Sequence, residues 1–298
     1  MGTKIIPYNN GEVLEWRWWA ESKLISFQLF ASCFLIDGLI VDSSAPGSEM
    51  DLQKYVKNLG GKNHINSCFL THFHEDHAGG SPMLKKEFDI PIYASSITAP
   101  YLKKGYKYRF YRKTYWGRHG QKPIDVEPVD GPIITKSGKY SFELFPMPGH
   151  SPDLTALIDK KNQIAFVGDA IMYKYGYTFG GSSPDLYEDI SQIYNSQKSL
   201  YKLTKSMDDL KIYVAHVGEV NRDFLAEKLK EIENLHNKAH KIQKELKNRG
   251  YKKQNKIVKE IVKRMWRKGE LLQFKILSMG EISRANLVAT LLKWPFDS

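Results

Sequence analysis

One junction restricts this chain more than any other: an apolar run that ends in a knot of ligand-type side chains. INSCFL, residues 65–70, reads as a strand, and THFHEDHAGG follows at 71–80. His72, His74, Asp76 and His77 fall within six positions. His72 and His74 are two apart, so an extended backbone would turn both imidazoles to the same side. Imidazoles with a carboxylate suit Zn2+ or another borderline divalent ion. A polar helix start and a pH-sensitive patch are the other readings of the cluster taken alone. Four donors so close invite two adjacent ions, and two ions need ligands from elsewhere.

Three further residues meet that need. His150 lies in PMPGHSPD after the run YSFELFP, Asp169 in VGDA after QIAFVG, and His216 in VAHVGE after KIYVA. Each follows the C-terminal end of an apolar strand, where open α/β sheets place their sites. Gly149 and Gly168 beside two of them let backbone approach closely. Asp76 is also the carboxylate suited to orient an attacking water or pass a proton.

The rest of the chain frames these strand ends. SFQLFASCFLID and GLIVD, joined at Asp37-Gly38, predict a hairpin. MDLQKYVKNLGG predicts a helix with Leu52, Val56 and Leu59 on one face. Ser81-Pro82 predicts another, with serine as its N-cap. PIYAS adds a strand, as does TALID, so the class is α/β or α+β. From residue 221 the pattern changes to long amphipathic helices. Apolar residues at 225, 229, 232, 235, 239, 242 and 246 give the first, closed by Gly250. NKIVKEIVKRMWRKG and ISRANLVATLLKW give two more. The expected division is 1–220 and a helical 221–298.

Composition adds modest limits. Of the net charge of +11, residues 222–298 supply +10, from 19 Lys and Arg against 9 Asp and Glu. Such a face is either solvated or meets an anion. Cys33 and Cys68 sit in apolar runs and read as free, buried thiols. No apolar run is long enough to span a bilayer and no signal-peptide pattern opens the chain, so a cytoplasmic protein without membrane association is expected.

THFHEDH, PGH, GD and a strand-end histidine, in that order, resemble the metallo-β-lactamase superfamily of metal-dependent hydrolases. The resemblance covers roughly residues 20–220. It implies an α/β fold of the αββα four-layer sandwich type, here with a helical C-terminal extension, and two divalent ions at one edge, zinc first, with iron or manganese also suited. Carried over, His72, His74 and His150 would hold one ion, and Asp76, His77 and His216 the other. Asp169 would bridge them, and Asp42 in IVDSSAPG would support the site from behind. The implied activity is hydrolysis of an ester, thioester or lactone through a metal-bridging hydroxide. Asp169 stands where true β-lactamases usually carry cysteine, and His74 where the flavodiiron reductases carry glutamate. Many thioesterases and lactonases read GH-T/S-PGH where this chain reads GHSPD, so Asp153 departs from that pattern. A metal-dependent nuclease or phosphodiesterase, a mononuclear iron sulfur dioxygenase and a non-catalytic nucleic-acid-binding protein are the alternatives.

The substrate side is read from residues 101–122, YLKKGYKYRFYRKTYWGRHGQK. Eight Lys and Arg alternate there with aromatics, and no acidic residue occurs from Ile90 to Ile124. This is either a cover favouring a small anionic substrate or single-stranded nucleic acid, or a helix whose aromatics pack on the core. His119 and Tyr173 are the candidate substrate contacts. His236 and His240 share a helix face, read as solvated rather than as a metal site. The tail itself fits a cap, an anion-binding face or a homodimer contact.

Overall fold

The computed structural model describes every residue except 21–28, 119, 177–178, 182–185, 268 and 296–298. The chain forms two compact units. The first comprises Met1–Met147, Asp153–Ala170 and Thr204–Asn221, and the second Pro148–Pro152, Ile171–Leu203 and Arg222–Ser298. The helical unit therefore takes in more than the tail from residue 221.

In the first unit, β1 (Gly2–Tyr8), β2 (Val13–Trp19), β3 (Ala31–Ile36) and β4 (Leu39–Val41) run antiparallel in sequence order. Asp37 and Gly38 both take positive φ at the β3–β4 turn, the geometry that a two-residue hairpin demands. Helix α1 (Glu49–Asn58) leads to β5 (Ser67–Leu70). Helices α2 (Glu75–Ala78) and α3 (Ser81–Phe88) then lead to β6 (Ile92–Ser95). Strands β4, β5 and β6 are mutually parallel. Residues 99–121 form α4 (Ala99–Lys104), α5 (Phe110–Trp116) and a ribbon of β7 (Tyr106–Lys107) with β8 (Gly120–Gln121). Strand β9 (Glu127–Val129) completes a seven-stranded sheet beside β6. A six-stranded sheet follows: β10 (Ile133–Ile134), β11 (Ser141–Pro146), β12 (Thr155–Asp159), β13 (Ile164–Phe166), β14 (Lys211–Val214) and β15 (Gly218–Val220).

Side-chain alternation makes these two sheets a sandwich. Phe34, Ile36, Leu39, Val41 and Phe69 of the first sheet share one buried cluster with Phe142, Leu157, Ile164, Phe166 and Tyr213 of the second. Their neighbours Cys33, Ile40, Cys68 and Leu70 point the other way, into a cluster with Leu52 and Val56 of α1 and Leu84 of α3. Strands buried on both faces read as continuous apolar runs, as INSCFL does. Both cysteines are buried and free, as expected.

The second unit is α6 (Ile190–Leu203), α7 (Arg222–Asn248), α8 (Gln254–Met265), the short α9 (Leu272–Leu277) and α10 (Arg284–Lys293). Leu225, Ile232, Ala239 and Leu246 of α7 recur every seven residues and are buried. Tyr175, Phe179, Ile193, Ile257, Ile261 and Leu287 fill the same unit's core. The face carrying His236 and His240 is not solvated. His236 Nε2 lies 3.2 Å from the Trp294 carbonyl, and His240 Nε2 lies 3.1 and 3.0 Å from those of Leu291 and Trp294. The two imidazoles satisfy the carbonyls that the end of α10 leaves without helical partners. Among the described residues, no helix is long and apolar enough to cross a membrane.

One local expectation also changes. Ser81 is the first residue of α3 rather than its cap, and its hydroxyl donates to Ala78 O at 2.8 Å. Gly79 and Gly80 are needed for close approach: a Cβ on Gly79 would lie 2.3 Å from Pro46 N, and one on Gly80 2.3 Å from Ser43 O. Gly80→Ala should destabilise the protein by about 1–3 kcal/mol through overpacking. Thermal denaturation will show this against Gly131→Ala, where nothing lies within 4 Å of the added methyl.

Candidate metal centre

The ligand-type residues of the first unit gather where strands end. Asp42 follows β4, the His72–His77 segment follows β5, Asp169 follows β13 and His216 follows β14. Asp42 and His216 have φ of 63° and 60°. Non-glycine residues reach that left-handed region only at a cost, and such residues concentrate at functional sites. Gly168, at φ 51°, sits so close to Thr71 that a Cβ would come within 2.7 Å of its Oγ1. Asp169 is thus brought beside the β5 end by a residue that has no side chain.

Asp76, His77, Asp169 and His216 each offer a ligand atom, and all four atoms lie within 4.8 Å of one another. His216 Nε2 is 3.3 Å from Asp76 Oδ2 and 3.6 Å from Asp169 Oδ1. His77 Nε2 is 3.2 Å from Asp169 Oδ2, yet it is buried and makes no hydrogen bond. Imidazole nitrogens and carboxylate oxygens converging at such distances are what a shared cation requires. The far nitrogens agree. His77 Nδ1 donates to Asp42 Oδ2 at 2.8 Å, and His216 Nδ1 donates to the Phe30 carbonyl. Each of these bonds assigns the hydrogen to Nδ1 and turns Nε2 inward. The donor set therefore fits a divalent ion.

His72 and His74 also meet, Nε2 to Nδ1 at 3.1 Å, and Thr71 Oγ1 lies 3.0 Å from His72 Nδ1. His150 belongs to the second unit, where its Nδ1 is 2.7 Å from Glu188 Oε1. Tyr173 is in the same unit and 70% exposed, and Lys228 Nζ donates to its carbonyl at 2.5 Å. His119 lies outside the described residues.

Electrostatics in the four-residue group follow from crowding opposite charges. Burial lowers His77 and His216, but Asp169 with Asp42 outweighs it at His77, and Asp169 with Asp76 outweighs it at His216. His77 is raised well above an ordinary imidazole, and His216 is pushed up to about 10. Burial raises Asp76, but the His216 hydrogen bond and the His77 charge hold it well below the usual carboxylate range.

Two supports were not anticipated. Glu75, between His74 and Asp76, is fully buried. Arg112 of α5 pairs with it, Nη2 donating to Oε2 at 2.7 Å while Nε lies 2.6 Å from Oε1. The Tyr106 hydroxyl accepts from Glu75 N at 2.9 Å and donates to its carboxylate. Tyr101 stacks on Phe73 with centroids 5.2 Å apart, and the Trp116 ring lies 6.0 Å from that of His216. The packing reading of 101–122 thus holds at these positions, and Arg112 balances the motif's own carboxylate. The available signal was an acid-free stretch beside a motif with one carboxylate too many. Asp153 is the second support. Its Oδ2 accepts from Phe73 N at 3.0 Å, bracing the backbone between His72 and His74.

Comparison with known proteins agrees with this architecture. The superfamily profile described as the metallo-beta-lactamase superfamily matches residues 27–216. The chain belongs to that superfamily. It is 28% identical over 107 residues to hydroxyacylglutathione hydrolase GloC of Haemophilus influenzae, covering 36% of this chain and 50% of that protein. It is 25% identical over 154 residues to a hydroxyacylglutathione hydrolase of Rhodopseudomonas palustris, covering 51% and 48%. The chain thus spans about half the length of these relatives. Among solved structures, a metallo-beta-lactamase from Pontibacter korlensis superposes with a TM-score of 0.57 at 16% identity, over 78% of this chain and all of that one. The mono-zinc form of the FIM-1 enzyme from Pseudomonas aeruginosa gives 0.56 at 13%, over 78% and 96%. At such identities the likeness is one of fold.

Arg112→Ala should cost about 3–5 kcal/mol, because it strands a buried carboxylate, whereas Arg112→Met with Glu75→Gln should cost far less. Urea denaturation of the two variants against wild type measures the difference. A second outcome concerns pH. In protein stripped of metal by a chelator, the folded value of His216 lies above its ordinary 6.5. Its contribution to stability is then complete below that ordinary value and is lost as pH rises through about 10. Stripped protein should melt at a lower temperature at pH 10 than at pH 7, and His216→Asn should flatten that difference.

Proposed function

We propose that the protein is a metal-dependent hydrolase that cleaves a thioester, or a related ester or lactone, with two divalent ions. The observation that carries this is the convergence of Asp76, His77, Asp169 and His216 within 4.8 Å, each histidine's Nδ1 being engaged elsewhere. In this reading His72, His74 and His150 hold one ion, Asp76, His77 and His216 hold the second, and Asp169 lies between them. Zinc is the first choice for such a nitrogen-rich set. Bound there, the ions would lower the pKa of a water and polarise the acyl oxygen.

The chain's own residues do the rest. Asp76, held ionised by His216 and His77, accepts the hydrogen of the attacking water and orients it toward the acyl carbon. Asp42 and the Phe30 carbonyl keep His77 and His216 in one tautomer. Trp116 gives an apolar wall beside His216. Asp169, where true β-lactamases usually have cysteine, supports acyl-ester substrates over β-lactams. The hydroxyacylglutathione hydrolases among the relatives support thioesters in particular. The phosphodiesterase reading is weakened, since Arg112 is consumed by Glu75 and Arg118 pairs with Glu49.

The test is metal analysis with a panel of thioesters, lactones, β-lactams and phosphodiesters. Zinc-loaded protein should hydrolyse thioesters, chelation should abolish this, and Asp76→Asn should lower kcat by about 10²–10⁴-fold. Full activity in His72→Ala, or no hydrolysis after loading with Zn2+, Mn2+ or Fe2+, would overturn the proposal.

A further inference from the structure

Glu188 has no place in the functional reading above, yet it is one of the most confined carboxylates in the second unit. It is 3% exposed, and both oxygens are used. Oε1 lies 2.7 Å from His150 Nδ1, and Oε2 accepts from the Gly180 backbone N–H at 2.5 Å. Burying a carboxylate is costly unless it is fully hydrogen-bonded. This one is held by a backbone donor on one side and spends its other oxygen on a single imidazole.

The contacts around it lead in two directions. Toward the histidine, Asp189 N donates to Gly149 O at 2.8 Å, and Ser196 Oγ of α6 donates to Pro148 O at 2.7 Å. The backbone just before His150 is thus clasped by the same stretch that grips its ring. Toward the tail, Ser283 N donates to Phe179 O at 3.1 Å, Asn286 Nδ2 reaches the same carbonyl at 3.2 Å, and Gly180 bridges to Ile282. Hydrogen bonds therefore run from the start of α10 through Phe179 and Gly180 to Glu188 and the His150 ring.

We propose that Glu188 is a positioning residue that holds His150 in the tautomer with hydrogen on Nδ1 and lone pair on Nε2, and that the C-terminal helices serve to anchor it. A carboxylate behind a ligating imidazole fixes ring orientation and raises its basicity, and its loss typically costs about 10–100-fold in metal affinity. The inference rests on the assignment of His150 as a ligand in the proposed function. It gives the tail a role as a brace for one metal ligand.

Metal content per chain, zinc affinity by competition with a chromophoric chelator, and melting of the stripped protein test the idea in four proteins. Wild type should hold two zinc ions, and His150→Ala should lose one. Glu188→Leu should keep one ion at wild-type affinity and bind the other about 10–100-fold more weakly. Glu188→Gln retains an acceptor for His150 but faces Gly180 N–H with an amide, so it should recover part of that loss. Wild-type affinity for both ions in Glu188→Leu and Glu188→Gln would overturn the inference. So would weakened zinc binding in Glu188→Gln that is no smaller than in Glu188→Leu and tracks lower melting of the stripped protein. If Glu188→Leu does not fold, Glu188→Gln decides alone: weaker binding of one ion at unchanged melting supports the inference, and anything else overturns it. Two ions retained by His150→Ala would instead defeat the assignment of His150 as a ligand.

Discussion

The site depends on one buried carboxylate. Asp42 leaves β4 in a left-handed conformation, 3% exposed. It receives Thr71 N at 2.8 Å, Thr71 Oγ1 at 3.0 Å and His77 Nδ1 at 2.8 Å. One side chain thus ties the end of β4 to the end of β5 and to α2. Hydrogen bonds to a charged group contribute about 1.5–3 kcal/mol each, and without this acceptor three buried donors would lose a partner. Ser43 and Gly80 repeat the tie in the backbone, with Ser43 N donating to His77 O and Gly80 N to Ser43 O. The steric demand at Gly80 and the tautomer of His77 are two expressions of the same junction.

Around that junction, charge is neutralised locally. Glu75 faces Arg112, Asp76 faces His216, and His77 sits between Asp42 and Asp169. Buried ion pairs of this kind contribute little net stability, because desolvation offsets the attraction, but breaking one is expensive. Their effect is geometric. Each of these side chains is oriented by a partner that reaches it from a different element, so the group is ordered by the protein itself.

Much of this was legible in the sequence. Strands that are apolar on both faces stand out, and polar residues at their ends stand out against them. The strand runs, the Asp37-Gly38 hairpin and the periodicity of α7 were readable for that reason. The partners of the site residues were not. Arg112 lies 37 residues from Glu75, and Glu188 lies 38 from His150. Neither separation carries a periodicity, because tertiary approach alone creates the pair. His236 and His240 misled for a related reason. A polar pair on a helix looks solvated until another helix ends against it. Ser81 resembled a cap by type and neighbour, but the helix begins one residue earlier than its hydroxyl would need.

The division of the chain into units has a bearing on how the protein comes to be folded. The first unit leaves off at Met147, resumes at Asp153, breaks again after Ala170 and is completed only by Thr204–Asn221. Its six-stranded sheet lacks β14 and β15 until that last segment is made, and β13 has no parallel neighbour before then. On the ribosome, where synthesis runs at about 5–20 residues per second, the strand that delivers Asp169 therefore waits for the strand that delivers His216. Closure of that long excursion must precede the contacts that reward it, which places assembly of the centre late in folding.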